Sequence, residues 1–261
     1  ADRIRADMFQ YDDRLAQEKQ RFDAEICVHD LPEIFHYWSN TYLRPFINGL
    51  GYDGIDDFFV QEIASAPRRA GKPLRIASVG CGDCATEVRI AGALVAMGVS
   101  DFSVLCLDIS DGALERGRDH ARDAGLSERF EMVAHDFNQG LPAGVFDLVM
   151  ANQSLHHVVA LERLYAAIRS QLPPGGRFLV SDMIGRNGHM RWPEARRLVD
   201  AACEWLPDRY RFNWQLQRQE QQFMDWDCSQ EGFEGIRAQE VLPLLLEHFS
   251  PRVFLAWGNI I

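Results

Sequence analysis

Apolar and polar positions follow two different rhythms along this chain. Between 74 and 184, short apolar runs of strand length (LRIASVG, FSVLCLDI, FEMVAHDF, FDLVMAN and RFLVSDMI) alternate with longer segments of helical periodicity near 85–97, 112–124 and 161–171. Strands alternating with helices predict a parallel sheet joined by right-handed crossovers. Residues 1–73 and 185–249 lack the strand rhythm and read as mainly helical. The first of these carries the aromatic cluster HYWSNTY and closes in the polar, basic stretch APRRAGKP. The second carries Trp192, Trp205, Trp214 and Trp226, and the run RVFLAWGNII after it reads as a last strand. The expected architecture is α/β: a doubly wound, mostly parallel sheet formed by 74–184 plus 250–261. A helical cap at 1–73 precedes it, and a helical insertion at 185–249 comes before the last strand. No internal repeat or low-complexity tract interrupts this plan.

Composition narrows the function without changing that picture. The 261 residues are 47% hydrophobic and 25% charged, ordinary for a soluble globular chain. A net charge of −11 and a pI near 5.2 argue against a nucleic-acid partner, which needs a basic surface. No apolar run reaches the roughly 20 residues that cross a bilayer. The opening ADRIRADMFQYDD lacks the apolar centre of a signal peptide. The six cysteines, Cys27, Cys81, Cys84, Cys106, Cys203 and Cys228, are scattered, several in apolar segments, which fits reduced thiols in the cytoplasm.

Candidate chemistry gathers where strands end. Gly80 and Gly82 directly follow the first strand; glycine permits positive φ and close approach of backbone to a ligand. The next helix offers free N–H groups and the positive end of its dipole there. G80-x-G82-x-x-A85, with Asp108 some twenty-odd residues later, also fits a dinucleotide fingerprint, so the turn leaves the cofactor open. Asp108 ends the second strand, where a carboxylate can accept both ribose hydroxyls with Ile109 against an adenine face; the plainer role is a helix N-cap. Asp136 ends the third strand. Its carboxylate could accept an adenine amino group while the Phe137 N–H meets a ring nitrogen; here too a cap is the plainer role. Cys81 and Cys84 form a C-x-x-C, but no second C-x-x-C partners it, and no metal site is expected. His156 and His157 follow the loop after the fourth strand, and histidine can take a proton near neutral pH.

With FDLVMANQSLHHV and LPPGGRFLVSD added, the series resembles class I S-adenosylmethionine-dependent methyltransferases, in particular bacterial ones acting on small molecules and secondary metabolites. The resemblance is firm over about 74–184. It is looser over 185–261, through GRNGHMRWPEA, LPDRYRFN and EGIRAQEVLPLLLEHF. It implies a Rossmann-like methyltransferase fold, S-adenosylmethionine as cofactor and S-adenosylhomocysteine as product. It implies that Gly80, Cys81 and Gly82 hold the methionine part and Asp108 with Ile109 the ribose side. Asp136 and Phe137 would hold the adenine, and Asn152 and Gln153 the wall near the methyl group. In some members a histidine pair and an acid after the fifth strand take the acceptor's proton; His156, His157 and Asp182 stand at the matching places. Two positions depart from the pattern: Ser78 stands where the family often has an acid, and Cys84 where its third glycine falls.

Loops at the carboxyl edge of an open sheet build its crevice, so the acceptor belongs beside the two helical parts. Candidate linings are His36, Tyr37, Trp38 and Tyr42; His189, Arg191 and Trp192; and Glu234 with Arg237. The expected activity is methyl transfer to an oxygen or nitrogen of a small-molecule acceptor, the protein acting alone or as a homodimer. Two rivals stand beside it. A nicotinamide-dependent oxidoreductase predicts Tyr-x-x-x-Lys after strand four or five, yet Tyr165 is followed by Arg169 and 151–177 contains no lysine. A binding protein that keeps the fold without moving a methyl group is the other.

Overall fold

The computed structural model describes residues 2–24, 33–69, 71–213, 217–230 and 232–256. Five parallel strands form the main sheet: β1 (Leu74–Val79), β2 (Phe102–Asp108), β3 (Phe130–Ala134), β4 (Leu148–Asn152) and β5 (Arg177–Ser181), in the order β3-β2-β1-β4-β5. The order reverses at β1, so the switch point at which open sheets build their ligand crevice lies at the carboxyl ends of β1 and β4. Alternate residues explain why the central strands β1, β2 and β4 read as nearly continuous apolar runs, since both their faces are covered. Ile76, Val104, Leu148 and Met150 face a core with Phe59, Ile63 and Leu94, on α4 (Ile55–Ala64) and α5 (Ala85–Ala96). Val79, Leu107, Val149 and Ala151 face a second core. There Leu164, Tyr165 and Ile168 of α7 (Leu161–Gln171) meet Val241 of α9 (Ala238–His248).

The remaining elements frame this sheet. Helix α1 (Asp2–Ala24) is followed by α2 (Glu33–Trp38), a π-helical turn at Ser39–Leu43, and α3 (Arg44–Gly49). Helix α6 (Asp111–Asp123) connects β2 to β3, and Ser110 caps it by accepting the Ala113 N–H at 3.0 Å. After β5 come α8 (Pro193–Trp205) and a short antiparallel pair, β6 (Phe212–Asn213) and β7 (Arg218–Gln219). No helix among the described residues is long and apolar enough to cross a membrane.

Helix α1 lies across the carboxyl edge of the sheet. Tyr11 reaches the loop after β3, Asp23 accepts from Ser110 (2.6 Å) and Gly112 (3.0 Å) after β2, and Glu18 reaches the loop after β4.

One expected element does not form over the part of it that is described. Residues 252–256 carry no strand; 257–261, like Cys27 and Trp214, lie outside the described residues. The apolar content that suggested a strand is turned outward, with Val253 37% and Phe254 57% exposed. Just before it, Phe249 packs on Phe178 with ring centroids 5.3 Å apart, and Arg252 pairs with Glu62 of α4. The chain is anchored there by aromatic packing and an ion pair instead of a ladder.

Candidate active site

The turn after β1 is left-handed at three points: Gly80 (φ 67°), Gly82 (φ 54°) and, unusually for a residue with a side chain, Cys84 (φ 57°). A Cβ at Gly80 would lie 2.5 Å from the Ser154 Cβ, so the glycine is required by the loop after β4 packing directly on it. Gly82 has open space where a Cβ would sit, and such a cradle suits close approach of a ligand. Its N–H donates to Asp108 Oδ2 (2.8 Å), while the Ser110 N–H donates to Oδ1 (2.9 Å). Asp108 thus ties the turn after β1 to the turn after β2, leaving a second lone pair on each oxygen. Burial pushes its carboxyl up, against the pull of those backbone bonds. Ile109 is half-buried beside it.

Asp136 caps the short turn Phe137–Gln139 by accepting the Asn138 N–H at 2.9 Å, and it also accepts from the Tyr11 hydroxyl at 2.8 Å. Phe137 is buried with its ring edge close to Gly80. Asn152 ends β4 half-buried, and Gln153 follows it at φ 55°, exposed, its N–H on the Ser181 carbonyl at 2.7 Å.

Both departures from the family pattern gain a structural account. The Ser78 hydroxyl donates to Glu87 Oε1 at 2.6 Å, so α5 supplies a carboxylate at the position that lacks one. Glu87 is buried and its Oε2 has no partner among the described residues; burial, with the charge of Cys84 adding to it, pushes its carboxyl up to about 8. Cys84 meets Cys81 and, from β2, Cys106, with the three sulfurs within 4.8 Å of one another. Cys106 sits beside Ser78 in the ladder, a neighbour that only the sheet order discloses.

On the other side of Ser154 stands a histidine–carboxylate cluster. Asp182, just past β5, accepts the N–H groups of Ser154 (3.0 Å) and Leu155 (2.6 Å) on one oxygen and His156 Nδ1 (2.6 Å) on the other. His156 Nε2 lies 3.3 Å from Glu234 Oε1, and His157 Nε2 lies 3.5 Å from Glu234 Oε2. His157 Nδ1 bonds Glu18 Oε1 at 2.7 Å, and His189 Nε2 bonds Glu234 Oε1 at 2.7 Å. The rings of His156 and His157 are 4.3 Å apart, and those of His156 and His189 are 5.0 Å apart. Burial by itself disfavours protonated His156, but the bonds to Asp182 and Glu234 outweigh it and raise the imidazole to about 9. Burial would likewise lift Glu234, yet His156 and His189 hold it well below the usual carboxylate range.

The structure brings together His156, His157, Asp182, His189 and Glu234. Sequence reasoning missed Glu18 and Tyr11, whose spacing of seven places them on one face of α1. Other candidates make their contacts with different partners. Arg237 is spent on Glu162, Glu240 and the Val159 carbonyl at 2.7–2.8 Å, bracing α7 against α9. Arg191 stacks 4.1 Å over the Phe223 ring, its N–H on Asp225 at 3.0 Å; Trp192 is 47% exposed at the start of α8. Trp38 pairs with Tyr42 at 6.2 Å inside its own segment, where Tyr37 is 60% exposed and His36 also faces outward.

A family model described as a methyltransferase domain matches residues 72–227, more than half of the chain. The chain belongs to that family, and its sheet is the Rossmann-like methyltransferase fold. It is similar to 27-O-demethylrifamycin SV methyltransferase of Amycolatopsis mediterranei, 32% identical over 120 residues, covering 45% of this chain and 41% of that protein. It is also similar to the ubiquinone/menaquinone biosynthesis C-methyltransferase UbiE of Methylobacterium nodulans, 30% identical over 173 residues, covering 65% and 64%. A third likeness is to the reducing polyketide synthase grgA of a Penicillium, 32% identical over 146 residues, covering 54% of this chain and 6% of that protein. The chain therefore spans less than two thirds of each of these relatives. The nicotinamide alternative finds no support in these likenesses.

Proposed function

We propose that this chain moves a methyl group from S-adenosylmethionine to an oxygen or nitrogen of a small-molecule acceptor. One observation carries the reading: Ser154 joins the glycine turn to the histidine cluster. Its side chain packs on Gly80 and its hydroxyl donates to the Val79 carbonyl at 2.6 Å, while its N–H is held by Asp182. A nucleoside site and a proton-accepting site thus share one loop.

The cofactor supplies an activated methyl on sulfonium sulfur. Gly80, Cys81 and Gly82 cradle its methionine part, Asp108 and Ile109 meet its ribose side, and Asp136 with Phe137 meets its adenine. Tyr11 shares the Asp136 carboxylate with that adenine. Asn152 and Gln153 line the wall toward the acceptor. Glu18 on Nδ1 sets the His157 tautomer that keeps Nε2 for a proton, and Asp182 on Nδ1 orients the His156 ring beside it. Alignment of nucleophile and methyl supplies much of the acceleration. His189, Arg191, Trp192, Tyr37 and Trp38 are proposed for the acceptor side. We place Arg237 behind it as a brace. The helical parts before 74 and after 184 close over this side, and the sheet core holds the cofactor.

Calorimetry with S-adenosylhomocysteine and with NAD tests the cofactor, and mass spectrometry of acceptor mixtures incubated with S-adenosylmethionine tests the transfer. Tight NAD binding with no response to S-adenosylhomocysteine sinks the reading.

A further inference from the structure

The histidine–carboxylate cluster has more ligating chemistry than a proton acceptor needs. Three imidazole Nε2 atoms converge on one carboxylate: His189 at 2.7 Å, His156 at 3.3 Å and His157 at 3.5 Å from Glu234. Two of these rings have their Nδ1 held by further carboxylates, His156 by Asp182 and His157 by Glu18. A carboxylate or carbonyl behind Nδ1 is the outer partner that orients nearly every metal-binding histidine. We propose that His156 Nε2, His189 Nε2 and Glu234 hold a divalent transition-metal ion of the zinc or iron(II) type.

Three observations support this donor set. First, the ligand atoms of His156, His189 and Glu234 all lie within 4.8 Å of one another. Tetrahedral metal–ligand bonds of about 2.0–2.2 Å put neighbouring ligand atoms about 3.3–3.6 Å apart; His156 Nε2 and Glu234 stand at 3.3 Å, and His189 Nε2, at 2.7 Å from Glu234, has to draw back to admit the ion. Second, charge must be balanced. Glu18 and Asp182 are nearly fully buried, with side chains 3% and 1% exposed, and Glu234 is 21% exposed. No lysine or arginine bonds to any of the three among the described residues. Positive charge must then come from crowded imidazolium rings 4.3 and 5.0 Å apart, or from one ion bound by neutral imidazoles. Third, two imidazoles and one carboxylate are the donor set of open sites for zinc or iron(II), with coordination positions left for a substrate.

The ion's use rests on the methyl-transfer reading above. The open positions suit an acceptor bearing a hydroxyl or enol oxygen, whose proton the ion makes easier to lose. His157, with Glu18 on Nδ1, sits at the rim to receive it. The oxygen then takes the methyl from sulfur, and S-adenosylhomocysteine leaves.

The binding test does not depend on activity. The full chain, stripped with a chelator, is titrated with Zn2+ by calorimetry and with Co2+ by visible absorption. One ion per chain is expected. His189→Ala and Glu234→Gln should each weaken binding by more than the about 10–100-fold that loss of an outer partner costs. Cys106→Ser should change nothing. Circular dichroism checks that each variant folds; if His189→Ala does not, Glu234→Gln decides. Absence of saturable binding overturns the site, as does binding unmoved by the folded variants. Loss of binding in Cys106→Ser, or a thiolate-to-cobalt charge-transfer band, overturns it by placing the ion on the three cysteines. S-adenosylhomocysteine affinity measured on the same samples fails separately if the methyl-transfer reading is wrong.

Discussion

The two halves of the crevice are built on different principles. In the glycine-turn half, carboxylates are held mainly by backbone close in sequence or one strand away: Asp108 by Gly82 and Ser110, Asp136 by Asn138, with Tyr11 of α1 as a distant side chain on Asp136. In the histidine half, side chains bond side chains from distant segments: Glu18 to His157, His156 to Asp182, His189 to Glu234. The first half forms as the strands align. The second exists only when α1 and the segment after β5 have both docked. Damage to the first should therefore appear as lost cofactor affinity and lost stability. Damage to the second should appear as lost turnover in a folded, cofactor-competent protein.

His157→Ala gives the largest expected effect. Turnover should fall by roughly 10²–10⁴ if this imidazole takes the acceptor's proton, with S-adenosylhomocysteine affinity little changed. Near-normal turnover in this variant would break the division of labour between the halves. Asp108→Ala comes next. Cofactor binding should weaken by about 1.5–3 kcal/mol, because a carboxylate on hydroxyls is a charge-assisted acceptor. The melting temperature should also drop, since Gly82 and Ser110 lose their acceptor. A variant that melts lower yet binds cofactor like wild type would show that Asp108 serves the fold alone.

Glu87 sharpens the comparison through pH. The folded chain holds its proton up to about 8, whereas the unfolded chain releases it near 4.5. Between those values the folded state binds more protons, so stability is full below 4.5 and is lost as pH rises through 8. Thermal melts from pH 5 to 9 should show that decline, and Glu87→Gln should flatten it; an unchanged slope in the variant would refute the assignment. The smallest effect is expected for Tyr11→Phe. Losing one hydrogen bond to Asp136 should cost about 0.5–1.5 kcal/mol of stability. Cofactor affinity should hold or rise, because the carboxylate no longer serves two partners; a clear fall would place Tyr11 among the cofactor's own contacts.

How much could be read in advance follows the same divide. The central strands of the core were visible because parallel strands covered on both faces are apolar at most positions. The same rule misled at 252–256, where apolar residues lie exposed beside Phe249 and Arg252. The glycines and the acids at strand ends were legible as a local pattern. Cys106 was not, because its meeting with Cys81 and Cys84 depends on which strand neighbours β1. Glu18 carried no signal either, since a glutamate on a polar helix face ordinarily points to water. Arg237 resembled a ligand contact; its partner Glu240 lay three residues away, but Glu162 comes from a helix whose proximity only the fold reveals.

The contact between Gly80 and Ser154 reaches further than the turn it shapes. From Val79 to Ser154, from Ser154 to Asp182 and from Asp182 to His156, each link is a hydrogen bond of 2.6–3.0 Å, and each side chain in it is short. No long, freely rotating arm interrupts the series. The crevice therefore works as a caliper with fixed jaws: the span from the turn to the imidazole is set by main chain and stubby side chains. Bimolecular chemistry that relies on near-attack alignment tolerates errors of only a fraction of an ångström. A caliper of this kind is set before either reactant arrives, and the helical segments on either side of the sheet core decide what is held between its jaws.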